Sequence, residues 1–220
     1  MITLGVLVSG GGTNLQAILD AIASKNLDAR VAVVVSNKAS AGGLLRATAA
    51  GVATVVLDHK AYAGREAFDA AVVDALRSHG VEWVVLAGFM RIVTRVLLDA
   101  FPMRVVNIHP ALLPAFPGVD AQKQALDYGV RVTGCTVHFV DKGTDTGPII
   151  AQRAVPVLEG DDVESLKARV LIEEHRLLPE VLQWIAEGRV SVVPSVAPSV
   201  APSVANGEGR GKVVVSRGRS

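Results

Sequence analysis

The sequence predicts an α/β protein, with a mostly parallel twisted sheet, helices on both faces and antiparallel strands near the C-terminal part. Short valine-rich runs alternate with alanine- and leucine-rich stretches of helical period, which is typical of βαβ units. The crossover helices of such units cover both faces of a parallel sheet. With 220 residues, 50% of them hydrophobic, the chain can bury one core of ordinary size.

The predicted elements follow one another in a regular order. The strand-like runs of the first half are "ITLGVLV", "ARVAVVVSN", "VATVVLD", "VEWVVLAGF" and "MRVVNIH", and the helices expected after the first four cover residues 14–24, 41–50, 65–79 and 94–100. A short helix over 120–128 then leads into "RVTGCTVHFV" and "PIIAQRAVPV", which we interpret as two antiparallel strands. An amphipathic helix over 163–187 closes the domain by packing its apolar face on the sheet.

The composition changes abruptly near the C-terminus, where three copies of Pro-Ser-Val-Ala occupy residues 194–205. We therefore divide the chain into a folded domain, residues 1–190, and a low-complexity tail, residues 191–220. A repeat so rich in proline favours a flexible, partly polyproline-like tail. The alternative is an edge hairpin in which Val190–Val193 pairs with Lys212–Val215 and the repeat forms an enlarged loop.

Charge and cysteine content exclude several classes of protein. The 22 basic and 21 acidic residues leave a net charge of +1, and no basic stripe could hold a phosphate backbone, so nucleic acid is not a predicted partner. The single cysteine, Cys135, excludes an internal disulfide and a Cys-x-x-Cys pair. Because the chain shows neither a signal-like segment nor an apolar run of about 20 residues, we expect a soluble cytoplasmic protein without membrane contact.

A glycine-rich loop, "SGGGTNLQAI", follows the first strand. Its three glycines allow a tight turn, and Thr13 and Asn14 open a helix whose free N–H groups attract an anion such as a phosphate. Glycines at this position are also ordinary turn residues. The dinucleotide fingerprint needs a glycine where Leu15 stands, and the nucleoside triphosphate loop needs Gly-Lys-Ser/Thr. Since both are absent, the pattern favours a smaller phosphorylated metabolite over NAD or ATP.

Asn107 and His109 lie in the stretch "NIHPALLP" at the end of the fifth strand. Residues two apart on a strand share a face, so both side chains point to the same side, at the rim that also carries the glycine loop. An asparagine can donate to a developing oxyanion, and a histidine can act as general acid or base near neutral pH. The alternative is a polar pair that is merely satisfied at a strand end.

Asp145, in the turn "DKGTDTGP", is the third candidate. A carboxylate within reach of His109 would fix the tautomer of the imidazole and raise its pKa, although a lone aspartate in a glycine-flanked turn is more often a turn former. For His138 and Glu174 the simpler interpretations are a packed core histidine and a solvated helix face. No spacing of His, Cys, Asp and Glu matches a metal site, and no base accompanies Cys135.

Six motifs of this chain resemble those of the phosphoribosylglycinamide formyltransferase family. They are "SGGGTNLQAI", "SNK", "LAGFMRI", "NIHPALLPAFPG", "GCTVHFVD" and "DTGPIIAQ", in the family's order, over about residues 2–190. The resemblance implies a Rossmann-like formyltransferase fold and transfer of the formyl group of 10-formyltetrahydrofolate to the amine of N1-(5-phospho-D-ribosyl)glycinamide, or glycinamide ribonucleotide, in de novo purine biosynthesis. Because the wider formyl-transfer superfamily shares an Asn, His and Asp triad, the triad identifies the chemistry more firmly than the acceptor.

The resemblance also implies roles for individual residues. Asn107 and His109 match the residues that stabilise the tetrahedral intermediate, and Asp145 matches the carboxylate that supports the histidine. The residues that match the glycinamide ribonucleotide site are Gly12, Thr13, Asn14 and Glu174. The residues that match the folate pocket are Arg65, Met90, Arg91, Ile92, Val93, Asn107, Asp141, Lys142, Gly143, Thr144 and Asp145.

The family further implies small-molecule substrates, with 10-formyltetrahydrofolate as a cosubstrate, no permanently bound cofactor and no metal, in a monomer or a homodimer. Three other functions are weaker expectations. Methionyl-tRNA formyltransferase carries a further C-terminal domain, for which residues 191–220 are too few. Formyltetrahydrofolate hydrolase carries an N-terminal regulatory domain, whereas the first strand here begins at Ile2. A non-catalytic module that binds a phosphorylated metabolite would not need the Asn, His and Asp set.

Overall fold

The computed structural model describes residues 1–193 and 211–216. The strands of its main sheet are β1 (Ile2–Val8), β2 (Ala29–Ser36), β3 (Ala53–Val56), β4 (Trp83–Leu86), β5 (Val105–His109), β6 (Val132–Phe139) and β7 (Ile149–Pro156). Their spatial order is β3-β2-β1-β4-β5-β6-β7. The first five strands pair in parallel, and β6 pairs antiparallel with both β5 and β7. The predicted fold class is therefore confirmed.

Helices connect these strands where the hydrophobic period predicts them. They are α1 (Thr13–Ala23), α2 (Gly42–Ala49), α3 (Arg65–Ser78), α4 (Arg95–Ala100), α5 (Ala121–Tyr128) and α6 (Val163–Ala186), with a short 3₁₀ turn at His59–Ala61. α6 begins at a capping box: the side chain of Asp162 accepts from the N–H of Ser165 at 2.8 Å, and the Ser165 hydroxyl accepts from the N–H of Asp162 at 3.0 Å. Within the described residues, no helix is both long and apolar enough to cross a bilayer.

Apolar side chains cover both faces of the main sheet, which explains why its strands are rich in valine on both sides. On one face α1 and α6 contribute buried leucines and isoleucines, among them Leu15, Ile18, Leu177 and Leu178. On the other face α3 and α4 contribute Phe68, Val72, Leu76 and Leu97. Each fully buried side chain of this size is worth about 1.5–3 kcal/mol, so the two layers hold the strand ends in fixed positions.

The strand order reverses between β1 and β4. The chain first builds outward from β1 through β2 to β3, and then crosses back to β4 and β5. The carboxyl ends of these neighbouring parallel strands lie about 4.8 Å apart. Ligands of α/β sheets bind in the crevice at such a point. The connections that open there are the glycine loop after β1, residues 88–94 after β4, and the chain that leaves β5 at His109.

A separate hairpin follows α6. Strand β8 (Val190–Val193) pairs antiparallel with β9 (Lys212–Val215), and the alternate valines of both strands pack against the main core. For these residues the expectation of a flexible tail is wrong, and the alternative edge hairpin is correct, because β-branched side chains at every second position bury apolar surface on the domain. The Pro-Ser-Val-Ala repeats lie outside the described residues.

Candidate active site

Asn107 and His109 lie on β5 with two-residue spacing, so their side chains share one face of the sheet. β5 pairs antiparallel with β6, and the register places Asn107 opposite His138 and His109 opposite Thr136. The Thr136 hydroxyl donates to the carbonyl oxygen of Ala111 at 2.6 Å. This bond anchors the chain as it leaves β5, directly after His109.

Asp145 reaches this pair from the loop between β6 and β7. Its Oδ2 accepts a hydrogen bond from the N–H of Gly118 at 2.8 Å and lies 3.3 Å from Nδ1 of His109. Its Oδ1 accepts from Nδ2 of Asn107 at 3.4 Å and lies 3.6 Å from Nε2 of His138. The structure therefore brings together the three residues predicted as catalytic and adds His138 to them.

The surroundings of Asp145 favour its charged form. Burial alone would raise the pKa of this carboxyl, but the neighbouring His138 ring, the N–H of Gly118 and the neighbouring His109 ring together outweigh burial, so the pKa lies below its usual value of 3.8. Asp145 also has a φ of 54°, a left-handed conformation that aspartate tolerates better than most residues. Backbone strain of this kind is concentrated at functional sites.

The partners of His109 define its tautomer. Nε2 lies 2.8 Å from the carbonyl oxygen of Phe116, which can only accept, so Nε2 carries a proton and Nδ1 faces Asp145. His109 is 3% exposed. This burial lowers the pKa of the imidazole, although Asp145 and the Phe116 carbonyl act in the opposite direction. The expected net rise in pKa is therefore wrong: at neutral pH the resting ring is uncharged and can accept a proton at Nδ1.

His138 is buried as expected, but its ring also belongs to the site. Nδ1 lies 2.8 Å from the carbonyl oxygen of Phe139 and therefore donates to it. With Nδ1 as the donor nitrogen, Nε2 accepts from Nδ2 of Asn107 at 3.1 Å. This bond turns the amide N–H groups of Asn107 toward Asp145. A sequence signal existed, because Thr136 and His138 are polar side chains two residues apart on one face of β6.

The glycine loop and α1 form a second polar cluster. Gly12 has a φ of 71°, and a Cβ there would lie 2.5 Å from Cα of Gly43, so only glycine allows α1 and α2 to approach this closely. α1 begins at Thr13, and its N-cap residue, Gly12, has no side chain to bond the first N–H groups, which leaves backbone N–H groups for a ligand. Nδ2 of Asn14 donates to Oε2 of Glu174 at 2.7 Å. The four residues predicted for the acceptor site thus lie around one helix end.

Glu174 is 6% exposed, so the expectation of a solvated helix face is wrong for this residue. It lies one helical turn from Val170 on one side and from Leu177 and Leu178 on the other, which places it on the buried face of α6. Burial raises the pKa of its carboxyl, and the hydrogen bond from Asn14 offsets only part of the rise. Within the described residues, Oδ1 of Asn14 is buried and lacks a hydrogen-bond partner.

A groove of about 720 Å³ runs between α1 and α6. Its lining includes Thr13, Arg46, His175 and Trp184. It does not include Asn107, His109 or Asp145. The groove therefore adjoins the cluster at the start of α1 and is separate from the pair on β5. Sequence reasoning had no signal for it, because it depends on how two helices distant in the chain cross.

The residues after β4 that were predicted for the folate pocket form a partly exposed apolar segment. The side chains of Met90 and Ile92 are 70% and 54% exposed, whereas Val93 is buried. The guanidinium of Arg91 lies 5.1 Å from the centre of an aromatic ring of α3. Arg65 is exposed at the first residue of the same helix. The structure therefore joins α3 to this segment, as the prediction requires.

The loop before Asp145 supplies the rest of the predicted pocket. Oδ1 of Asp141 accepts from the N–H of Gly143 at 3.0 Å, which closes a tight turn. Lys142 and Thr144 are exposed on this turn. The turn leads directly into Asp145, so the carboxylate and the predicted folate loop are positioned together.

Residues 1–193 and 211–216, which the structure describes, contain no group of three or more His, Cys, Asp or Glu side chains that could hold a metal ion. The thiol of Cys135 is buried, and burial raises its pKa to about 12. Cys135 therefore stays protonated at neutral pH and does not serve as a nucleophile.

Known proteins are similar to this chain in sequence and in fold. The family described as "Formyl transferase" matches residues 3–182. The trifunctional purine biosynthetic protein adenosine-3 of Bos taurus is 47% identical over 187 residues, 85% of this chain but only 18% of the relative, so the chain spans less than a fifth of that protein. The phosphoribosylglycinamide formyltransferase of Escherichia coli (strain K12) is 44% identical over 187 residues, 85% of this chain and 88% of the relative.

A solved structure extends the similarity to almost the whole chain. The crystal structure of glycinamide ribonucleotide transformylase 1 from Symbiobacterium toebii matches with a TM-score of 0.88 and 53% sequence identity, over 98% of this chain and 94% of that chain. Sequence family and fold therefore agree. The chain belongs to the formyl transferase family.

Proposed function

We propose that this protein is a phosphoribosylglycinamide formyltransferase, which transfers the formyl group of 10-formyltetrahydrofolate to the amine of glycinamide ribonucleotide in de novo purine biosynthesis. The observation that carries the proposal is the cluster of Asn107, His109 and Asp145 at the end of β5, one strand from the point where the strand order reverses. The cluster of Asn14 and Glu174 on the same rim supports the choice of acceptor. Relatives named for this activity share 44% and 53% identity with the chain.

Asn107 stabilises the negative charge of the reaction. When the acceptor's amine attacks the formyl carbon, charge develops on the formyl oxygen, which needs a donor already aimed at it. Nδ2 of Asn107 has two N–H groups, one bonded to His138 at 3.1 Å and one in a longer contact of 3.4 Å with Asp145. The longer contact is the weaker one, so its N–H turns to the oxyanion. One such donor is worth about 10²–10³ in rate.

His109 and Asp145 transfer the proton of the attacking amine to the leaving tetrahydrofolate. In the resting site Nε2 of His109 is protonated and Nδ1 is free, 3.3 Å from the carboxylate. Asp145 relays the proton of the attacking amine to Nδ1 through water and then stabilises the imidazolium. The imidazolium returns the proton to the nitrogen of tetrahydrofolate as its bond to the formyl carbon breaks. The protons balance, and no covalent enzyme intermediate is needed.

The two substrates enter from neighbouring strand ends. The phosphate of glycinamide ribonucleotide binds at the uncapped N-terminus of α1, beside Gly12 and Thr13, and Glu174 contacts the rest of this substrate. The folate lies along Met90–Val93 with Arg65 and the loop 141–145 beside it. The exposed apolar side chains of Met90 and Ile92 supply a surface for the flat heterocycle of the folate.

The proposal also covers the organisation of the protein. Residues 1–190 form the catalytic unit, and residues 191–220, which include β9, are an addition to it. The enzyme acts in the cytoplasm on small molecules, as a monomer or a homodimer, without a permanently bound cofactor or metal.

A transfer assay with the purified full chain tests the proposal. The protein is incubated with 10-formyltetrahydrofolate, glycinamide ribonucleotide and a chelator, and formylated ribonucleotide and formate are quantified separately. We expect stoichiometric formylated ribonucleotide. Release of formate without it would identify a hydrolase, and binding of both ligands without either product would identify a non-catalytic module. A parallel reaction with methionyl-tRNA as acceptor should give no product.

A further inference from the structure

Residues 88–94, the connection after β4, expose large apolar side chains to solvent. Met90 is 70% and Ile92 is 54% exposed. Side chains in such positions contribute little packing to hold the chain. The backbone at these two residues therefore depends on polar contacts, in addition to the packing of Phe89 and Val93, if it is to present the same surface to each folate molecule.

Ser9, the first residue after β1, fixes the start of this connection. Its Oγ accepts a hydrogen bond from the N–H of Met90 at 2.9 Å. Its own N–H donates to the carbonyl oxygen of Gly88 at 3.0 Å. Ser9 is 5% exposed, so water does not replace these bonds. The two bonds bracket the turn at Gly88, whose φ is 74°.

Asn37, at the end of β2, sets the direction of the Ser9 hydroxyl. A serine hydroxyl has one proton, and here it is donated to Oδ1 of Asn37 at 2.6 Å, which leaves lone pairs for the N–H of Met90. Asn37 is 3% exposed, and its Nδ2 lies 3.4 Å from Nδ1 of His59. A buried network in which each polar group has a partner holds one orientation.

Asp69, on α3, fixes the other end of the connection. Its carboxylate accepts a hydrogen bond from the N–H of Thr94, the residue before α4, and it is 2% exposed. The connection is thus tied at both ends by buried polar side chains from two different elements. Between these two hydrogen bonds, the side chains of Met90 and Ile92 are exposed to solvent.

We infer that Ser9, oriented by Asn37, is a positioning residue for the folate cosubstrate: its hydroxyl holds the backbone at Met90 so that the apolar surface of the connection keeps its place. The inference rests on the proposed function, which assigns the folate to this segment. Ser9 itself does not need to touch the folate. Its side chain affects the binding of the folate only. Its backbone leads directly into the glycine loop, which we assign to glycinamide ribonucleotide.

The substitution Ser9→Ala removes the side-chain bond and keeps the backbone bond to Gly88. Loss of one buried hydrogen bond should raise the KM for 10-formyltetrahydrofolate roughly fivefold to thirtyfold. The KM for glycinamide ribonucleotide and kcat should stay within about twofold, as for independent sites. Ser78→Ala is the matched control, since the Ser78 hydroxyl bonds the Ala75 carbonyl at the exposed end of α3; it should change none of the three constants.

Asn37→Ala supplies a second single variant and, combined with Ser9→Ala, a double-mutant cycle. Because Asn37 acts through the Ser9 hydroxyl, it should raise the folate KM less than Ser9→Ala does, and the double variant should match Ser9→Ala within about twofold. Additive effects of the two substitutions would overturn the inference. If Ser9→Ala does not fold, judged by its melting temperature, Asn37→Ala alone must still raise the folate KM selectively.

Met90→Ala separates the inference from the function on which it rests. If wild-type protein transfers no formyl group, or if Met90→Ala leaves the folate KM unchanged, the function or its folate assignment fails. If Met90→Ala raises the folate KM but Ser9→Ala leaves it unchanged, or raises both substrates' KM values equally, Ser9 is not a positioning residue for the folate.

Discussion

Two pairs of an asparagine and a carboxyl lie on the same rim of the sheet, and the pKa values of their carboxyls shift in opposite directions. Asn107 and Asp145 meet at 3.4 Å near the end of β5, and Asn14 and Glu174 meet at 2.7 Å between α1 and α6. Both carboxylates are largely removed from water. The pKa of Asp145 nevertheless lies below its usual value, whereas the pKa of Glu174 lies above it.

The number of hydrogen-bond partners explains the difference. Asp145 lies close to Gly118 and to two histidines in addition to Asn107, so its charge is solvated by the protein. Glu174 has one amide donor, which does not offset burial. A buried carboxylate that must stay charged for proton transfer therefore needs several polar neighbours, whereas a carboxyl that only binds and orients a substrate does not.

The largest effect is expected for Asp145→Asn. The substitution keeps an acceptor for the N–H of Gly118 but removes the charge that stabilises the imidazolium of His109, so kcat should fall by about 10²–10³ or more, with both KM values nearly unchanged. Steady-state kinetics at saturating substrates measure it. Asp127→Asn, at an exposed ion pair with Lys123, is the control. A kcat above about a tenth of wild type would show that the charge is not needed.

A smaller loss of kcat is expected for His138→Ala. This substitution removes the acceptor at 3.1 Å that turns the Asn107 amide and a neighbour of the Asp145 carboxylate, at a cost of about fivefold to a hundredfold in kcat. Neither KM should change more than about threefold, since His138 contacts catalytic side chains. His79→Ala, at a histidine bonded to Ala75 on α3, serves as the control. A loss confined to the folate KM would instead make His138 a ligand of the folate.

The two carboxyls should also give the stability of the protein opposite pH dependences. Because the folded pKa of Asp145 is below 3.8, its contribution to the free energy of unfolding is present above that pH and lost as the pH falls through the folded value. Because the folded pKa of Glu174 is above 4.5, its contribution is present below that pH and lost as the pH rises through the folded value.

Urea unfolding of Asp145→Asn, Glu174→Gln and wild type from about pH 3 to pH 8 measures this contrast. The stability of wild type relative to Asp145→Asn should grow with pH, and its stability relative to Glu174→Gln should shrink. Glu174→Gln keeps an acceptor for Asn14, so its KM for glycinamide ribonucleotide should rise less than about threefold. If the stability of wild type relative to each of the two variants changed in the same direction with pH, the two carboxyls would not have opposite pKa shifts.

The sequence predicts most of the frame of this site but not its electrostatics. Strand ends and helix ends follow from hydrophobic period and capping, so Asn107 and His109 could be placed on one rim. The helical period also places Glu174 one turn from the buried Val170, which indicates burial. The charge of the glutamate side chain suggested a solvated face instead. The proximity of His138 depends on the register of β5 and β6, which a single sequence does not define.

The pKa of His109 could not be predicted for a related reason. Its sign depends on whether burial or the neighbouring carboxylate dominates, and both depend on packing around a ring that is 3% exposed. The hairpin after α6 shows the same limit in the fold. Its strand pattern was visible, but only the contact of its valines with the core decides between a hairpin and a free tail.

The smallest effect on catalysis is expected for removal of β9. Deleting residues 211–220 removes the inward-facing Val213 and Val215, which should lower the melting temperature by about 2–8 °C. The Asn14–Glu174 pair depends on the packing of α1 against α6 and not on the hairpin, so both KM values and kcat should stay within about twofold. Deleting only residues 217–220 leaves β9 in place and is the control. If the longer deletion raised the KM for glycinamide ribonucleotide tenfold, the burial of Glu174 would have to depend on the hairpin, and the two pairs would differ in their structural support as well as in the direction of their pKa shifts.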